Sequence, residues 1–129
     1  MTGERGQALV ELALVLPILL VLALAIAQIA ELGIARLALE QGAAEGARIG
    51  ALTNDDALIR LTISAAVAPL DPARVAVTVD PVAADRGPQP RGALLRVRLR
   101  YALAAPLGFI GLPQVVVRGD AARRIEWTP

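Results

Sequence analysis

The pattern of apolar and polar positions changes twice along the chain. From Leu12 to Ala30, nineteen consecutive residues carry no charge, and Gln28 is the one strongly polar side chain among them. A run that is apolar on every side is not the face of a soluble amphipathic helix. A bilayer core about 30 Å thick is crossed by roughly 20 apolar residues in a helix, so the run predicts a membrane-spanning helix. Pro17 lies inside it, where membrane helices accept a kink if neighbouring groups satisfy the freed carbonyl. Beyond Ala30 the pattern turns amphipathic: Ile29, Leu32, Leu37, Leu39 and Ile49 alternate with Glu31, Arg36, Glu40, Glu45 and Arg48. No proline falls between Pro17 and Pro69. One helix over about residues 7–51 follows, on the order of 65 Å long at its 1.5 Å rise, half in lipid and half outside.

The second change comes at Thr53-Asn54-Asp55-Asp56, a helix stop followed by a new N-cap. It predicts a short helix over 55–68 with Leu58, Leu61 and Ala65 on one face, ended by the turn at Pro69 and Pro72. Three strands follow. Val75, Val77 and Val79 alternate with Ala76, Thr78 and Asp80; Leu95, Val97, Leu99, Tyr101 and Leu103 alternate with Arg96, Arg98 and Arg100; a third runs from about Val115 to Trp127, with Gly119 read as a bulge. Period-two alternation marks half-buried antiparallel strands. The fold class is α+β: a long N-terminal membrane-spanning helix continuing into a small antiparallel sheet domain. The expected division is a leader at 1–6, the long helix at 7–52, and a helix with a three-stranded sheet at 53–129. The loop 104–113, apolar and holding the single Phe, is either a contact site or folded onto the core.

Composition narrows the chemistry. The 129 residues include no Cys, His or Lys. That excludes a disulfide framework, a thiol nucleophile, a Ser-His-Asp triad and His or Cys metal sites. Thirteen Arg against twelve acids leave a net charge of +1, too little for broad binding of nucleic acid. The adjacent carboxylates Asp55 and Asp56 do not face each other on a helix and read as capping residues. No catalytic activity, cofactor, metal or small-molecule substrate is expected.

Two further patterns stand out. Ala38, Gly42, Gly46 and Gly50 recur every four residues, a stripe with almost no side chain. Glycine inside a helix costs about 1 kcal/mol against alanine, so the stripe predicts a close-packed seam, against the chain's own sheet or a helix of another subunit. In a chain rich in Ala and Gly the spacing also arises by chance. The row Arg96, Arg98 and Arg100 is either a contact for an anionic surface, polysaccharide or phosphate or a solvated sheet face paired with acids, the plainer reading.

The N-terminus reads Arg5-Gly6-Gln7-Ala8-Leu9-Val10-Glu11, directly before the apolar run. A glycine, four residues and a Glu at the head of a hydrophobic helix resembles the class III signal of type IV pilins and pseudopilins. The stretch from Arg5 to Leu52, with its later "EGARIGAL", is similar to the TadE-like family of the Tad (Flp) pilus machinery; the strands and the closing "AARRIEW" are similar to it more weakly. The resemblance implies cleavage by a prepilin peptidase between Gly6 and Gln7, on the cytoplasmic side. It also implies a single-pass protein of the cytoplasmic membrane, N-terminus inside and sheet domain outside, whose partners are that peptidase, other pilins or pseudopilins and the bilayer. Flp-type pilins often place an aromatic residue after the Glu, where this chain has Leu12. Their major subunit is usually much shorter, which points to a minor pilin.

The residues give Glu11 a physical role of their own. A carboxylate at the mouth of a membrane helix is costly unless paired or interfacial, and it meets the positive end of the helix dipole. A cut at Gly6 frees an α-amine at Gln7 that Glu11 of a neighbouring subunit neutralises, setting the register of packed helices; the bland alternative is a Glu that reaches water. Gly3 and Gly6 speak against a helical leader. The apolar run is too long for a cleaved secretory signal. The remaining alternative is a single-span anchor of a secretion or adhesion system that is never cut.

Overall fold

The computed structural model describes residues 2–104 and 114–129, with side chains from residue 6 onward. The loop singled out at 104–113 therefore lies, from 105 on, outside the described residues. Two compact units divide the chain, Met1–Glu31 and Leu32–Pro129.

The first unit is helix alone. Helix α1 is continuous over Thr2–Thr53, longer at both ends than the expected 7–51. It passes through Gly3 and Gly6, which corrects the expectation of a non-helical leader. Once a helix is nucleated, each added residue gains a hydrogen bond, and two glycines at about 1 kcal/mol each do not stop it. From Gly6 onward α1 is long and apolar enough to cross a membrane. Its most apolar 18-residue window has a mean hydropathy of 2.9 and no buried residue. Pro17 sits inside this helix.

The second unit holds the rest of α1, helix α2 (Asp56–Ala66) and strands β1 (Ala76–Asp80), β2 (Leu94–Leu103) and β3 (Val115–Arg124). The strands form one antiparallel sheet in the order β1-β2-β3. Both helices pack on one of its faces. The alternation expected for β2 holds from Leu95 to Tyr101 and fades at Leu103: Leu95, Val97, Leu99 and Tyr101 are buried, Arg96, Arg98 and Arg100 are exposed, and Ala102 and Leu103 are both half-buried.

Asn54, with φ +52°, ends α1 in the left-handed region, and its N–H donates to Gly50 O at 2.9 Å. Asp55 then caps α2, its carboxylate accepting from Ala57 N at 2.8 Å and Leu58 N at 3.3 Å. Asp55→Ala is expected to cost about 1 kcal/mol. Urea unfolding of the full chain in mild detergent, followed by its single tryptophan, Trp127, reads this as a lower midpoint at unchanged slope.

The large apolar residues that mark each helix in the sequence are mostly not the ones it buries. Of the large apolar residues read along α1, only Leu39 is fully buried; Ile29 and Leu37 are exposed. The buried stripe is Ala35, Ala38, Leu39, Gly42, Ala43, Gly46, Ala47, Gly50 and Ala51, which takes in all four residues of the seam read from the sequence. On α2, Leu58, Leu61 and Ala65 are exposed, and Ile59 and Ile63, followed by the cap Val67, enter the core. The cause is one packing arrangement. Ile59, Ile63 and Val67 recur every four residues, and a Cβ built at Gly50, Gly46 or Gly42 would lie 2.6–2.7 Å from Ile59, Ile63 and Val67 respectively. Branched side chains of α2 thus seat in the gaps that the glycines leave on α1. Leu95 and Leu99 of β2 reach Gly50 and Gly42 from the other side.

Gly119 is not a bulge. Pairing between β2 and β3 is unbroken from Leu94↔Arg124 to Leu103↔Val115, with Gly119 opposite Leu99. A Cβ there would lie 2.6 Å from the carbonyl carbon of Leu39 and 2.8 Å from Glu40 N, so the glycine admits the backbone of α1 to the sheet. The third strand stops at Arg124, short of the expected Trp127. Glu126 N and Trp127 N turn away to donate to Ala51 O, at 2.8 and 3.0 Å, satisfying a carbonyl that the end of α1 leaves open. Ile125, fully buried, closes that end of the core.

Candidate functional site

Gly6, Gln7 and Glu11 lie on the first unit, all exposed. Helical spacing puts Gln7 and Glu11 on one face, one turn apart. Gln7 Nε2 donates to Glu11 Oε1 at 3.2 Å, the one side-chain hydrogen bond of that carboxylate among the described residues. Among the described residues, a Cβ built at Gly6 would meet nothing within 4 Å. Further along, Gln28 leaves its Oε1 without a hydrogen-bond partner.

The other positions singled out in the sequence belong to the second unit and do not join this group. Ala38, Gly42, Gly46 and Gly50 lie on the inner face of α1, with the three glycines against α2 and β2 of the same chain. Arg96, Arg98 and Arg100 line the outer face of the sheet. Cross-strand register adds two arginines that reading β2 alone missed: Arg118 stands opposite Arg100, and Arg124 opposite Leu94. Strand parity would have found both, since residues facing each other across a ladder share a face.

The two acids read as caps take different roles. Asp55 caps α2; Asp56 holds Arg86, whose side chain is 1% exposed against 31% for the acid. The buried guanidinium donates through Nη2 to Asp56 Oδ1, through Nε to Pro81 O at 2.9 Å and through Nη1 to Asn54 Oδ1 at 3.2 Å. It thereby ties the β1–β2 loop to the turn between the helices. Nothing in the sequence around Arg86 signals this, because its partners lie far away along the chain. Among the described residues no three acidic side chains come together as a cation site.

No curated protein and no solved structure matches the chain. A family model does: that of the TadE-like proteins, over residues 6–48. The match begins at the glycine before Gln7, takes in Glu11 and the whole apolar run, and ends two residues before Gly50, leaving the strands outside it. Among the described residues one helix is fit to span a membrane, and over residues 6–48 the chain is similar to the TadE-like proteins.

Proposed function

We propose that the chain is a minor pilin or pseudopilin that takes part in assembly of a Tad (Flp) pilus. The observation that carries this reading is the Gly6–Glu11 spacing at the head of the apolar helix, inside the segment matched by the TadE-like family. A prepilin peptidase cuts between Gly6 and Gln7 on the cytoplasmic side. The freed α-amine of one subunit meets Glu11 of its neighbour, removing a charge that the membrane would otherwise penalise and fixing the helix register. The sheet domain is displayed outside the membrane. The protein acts as a substrate and a building part, with peptidase, sister pilins and lipid as its partners. The exposed Gly6–Gln7 peptide and a Glu11 carboxylate reachable from Gln7 on the same helix face support both steps.

Intact mass and N-terminal sequencing of the chain recovered from native membranes test the reading. The expected result is a start at Gln7. A start at Met1 with the cognate peptidase present makes the chain an uncut membrane anchor and sinks the processing step; a start after Ala30 makes the apolar run a cleaved signal.

A further inference from the structure

Three arginines of the second unit that lie off the outer sheet face form ion pairs among the described residues. Arg36 pairs with Glu40 at 2.9 Å, Arg48 with Glu45 at 2.8 Å, and Arg86 with Asp56. The outer face of the sheet gathers five more arginines into one patch. It carries Arg96, Arg98 and Arg100 of β2 with Arg118 and Arg124 of β3, against only Asp80 and Asp120. Arg98 reaches Asp80 at 3.5 Å. Among the described residues, Arg96, Arg100 and Arg118 have no ion pair. Arg100 and Arg118 stand directly opposite each other, an arrangement in which like charges destabilise a strand pair. A face with such a register gains most from an anion laid across it.

We propose that this face binds a linear acidic polysaccharide, its carboxylates held by Arg96, Arg98, Arg100 and Arg118. Alternate residues of a strand lie about 6.7 Å apart, so β2 offers a straight row of guanidinium forks suited to carboxylates. Asp80 and Asp120 sit among the arginines. Duplex DNA, with one charge per about 1.7 Å, would press phosphates onto both acids, whereas a chain with one carboxylate per sugar straddles them. Among the described residues the outer face has no aromatic side chain, and the strands offer no platform for stacking nucleobases. Its centre is charged, so it also lacks the apolar side that an interfacial membrane binder buries. The proposal does not depend on cleavage at Gly6.

The test uses the full chain in nanodiscs of neutral phosphatidylcholine, with fluorescent alginate oligosaccharides, a polyuronate, as the probe. The expected result is binding that weakens with salt. The triple variant Arg96→Gln, Arg98→Gln, Arg100→Gln should lower the affinity by about tenfold or more. The control Arg36→Gln, Arg60→Gln, Arg91→Gln, which removes the same charge from exposed positions elsewhere, should leave it within about twofold. Circular dichroism and Trp127 emission check that both variants fold. Three outcomes overturn the proposal: no alginate binding by the parent chain, an equal loss in both triple variants, or tighter binding to duplex DNA or phosphatidylserine vesicles than to alginate.

Discussion

Gly119→Ala should destabilise the second unit by about 3 kcal/mol, at the upper end of the usual cost of overpacking. The added methyl would meet the backbone of α1 at Leu39 and Glu40, and a backbone in mid-helix has no rotamer to yield with. Gly46→Ala meets side-chain atoms instead, Cγ1 and Cδ1 of Ile63 at 2.7 and 2.8 Å. Part of its cost is returned as helix propensity, so the net loss should be about 1 kcal/mol. Gly33→Ala meets nothing within 4 Å and should stabilise by about 0.5–1 kcal/mol. Urea titration followed by Trp127 emission ranks the three variants. A Gly119→Ala protein as stable as the parent would mean that helix and sheet do not meet at Leu39.

The pair Asp56–Arg86 should respond unequally to loss of either member. Asp56→Ala leaves a guanidinium that is 1% exposed without a counter-charge, and breaking a buried pair this way costs about 3–5 kcal/mol. Arg86→Met leaves the acid, which is 31% exposed and reaches water; about 2 kcal/mol is expected, much of it from the hydrogen bonds lost at Pro81 O and Asn54 Oδ1. The double variant should recover most of the Asp56→Ala loss, since an apolar replacement of both partners is often close to neutral. Thermal and urea unfolding of the four proteins give the cycle directly. Equal single losses that add in the double variant would show that the two groups do not act on each other.

The sequence was most legible where size and hydropathy carry the signal. The strand β2, the apolar run and the Asp55 cap each announce themselves locally, and the Gly6–Glu11 spacing is a matter of counting. The inner face of α1 was harder to read. Alanine and glycine give weak hydropathy contrast, and the larger Ile29 and Leu37 point outward, so hydropathy misled there while the four-residue spacing of Ala38, Gly42, Gly46 and Gly50 marked the buried side. On α2 the same error chose Leu58 and Leu61 over Ile59 and Ile63. A single glycine in a strand signals either a bulge or a close approach; at Gly119 the deciding neighbour, Leu39, lies far away along the chain. Arg86 in a Pro/Gly loop and the closure of Ala51 by residues 126 and 127 depend wholly on distant partners. The N-terminal group has no tertiary surroundings to read, so its spacing carries the functional reading alone.

The closure at Ala51 bears on how the chain comes together during synthesis. Translation delivers α1 first, and its apolar run reaches a membrane insertion channel before any strand exists. The glycine face of α1 must then wait for the side chains of α2, and Leu39 for Gly119. The carbonyl of Ala51 waits longest, until Glu126 and Trp127 leave the ribosome. A nascent chain halted before Ile125 therefore has its apolar segment complete and its second unit still open, a state that chaperones and proteases would recognise. In the order of synthesis, the residues that close the end of α1 come after every other part of the second unit's core.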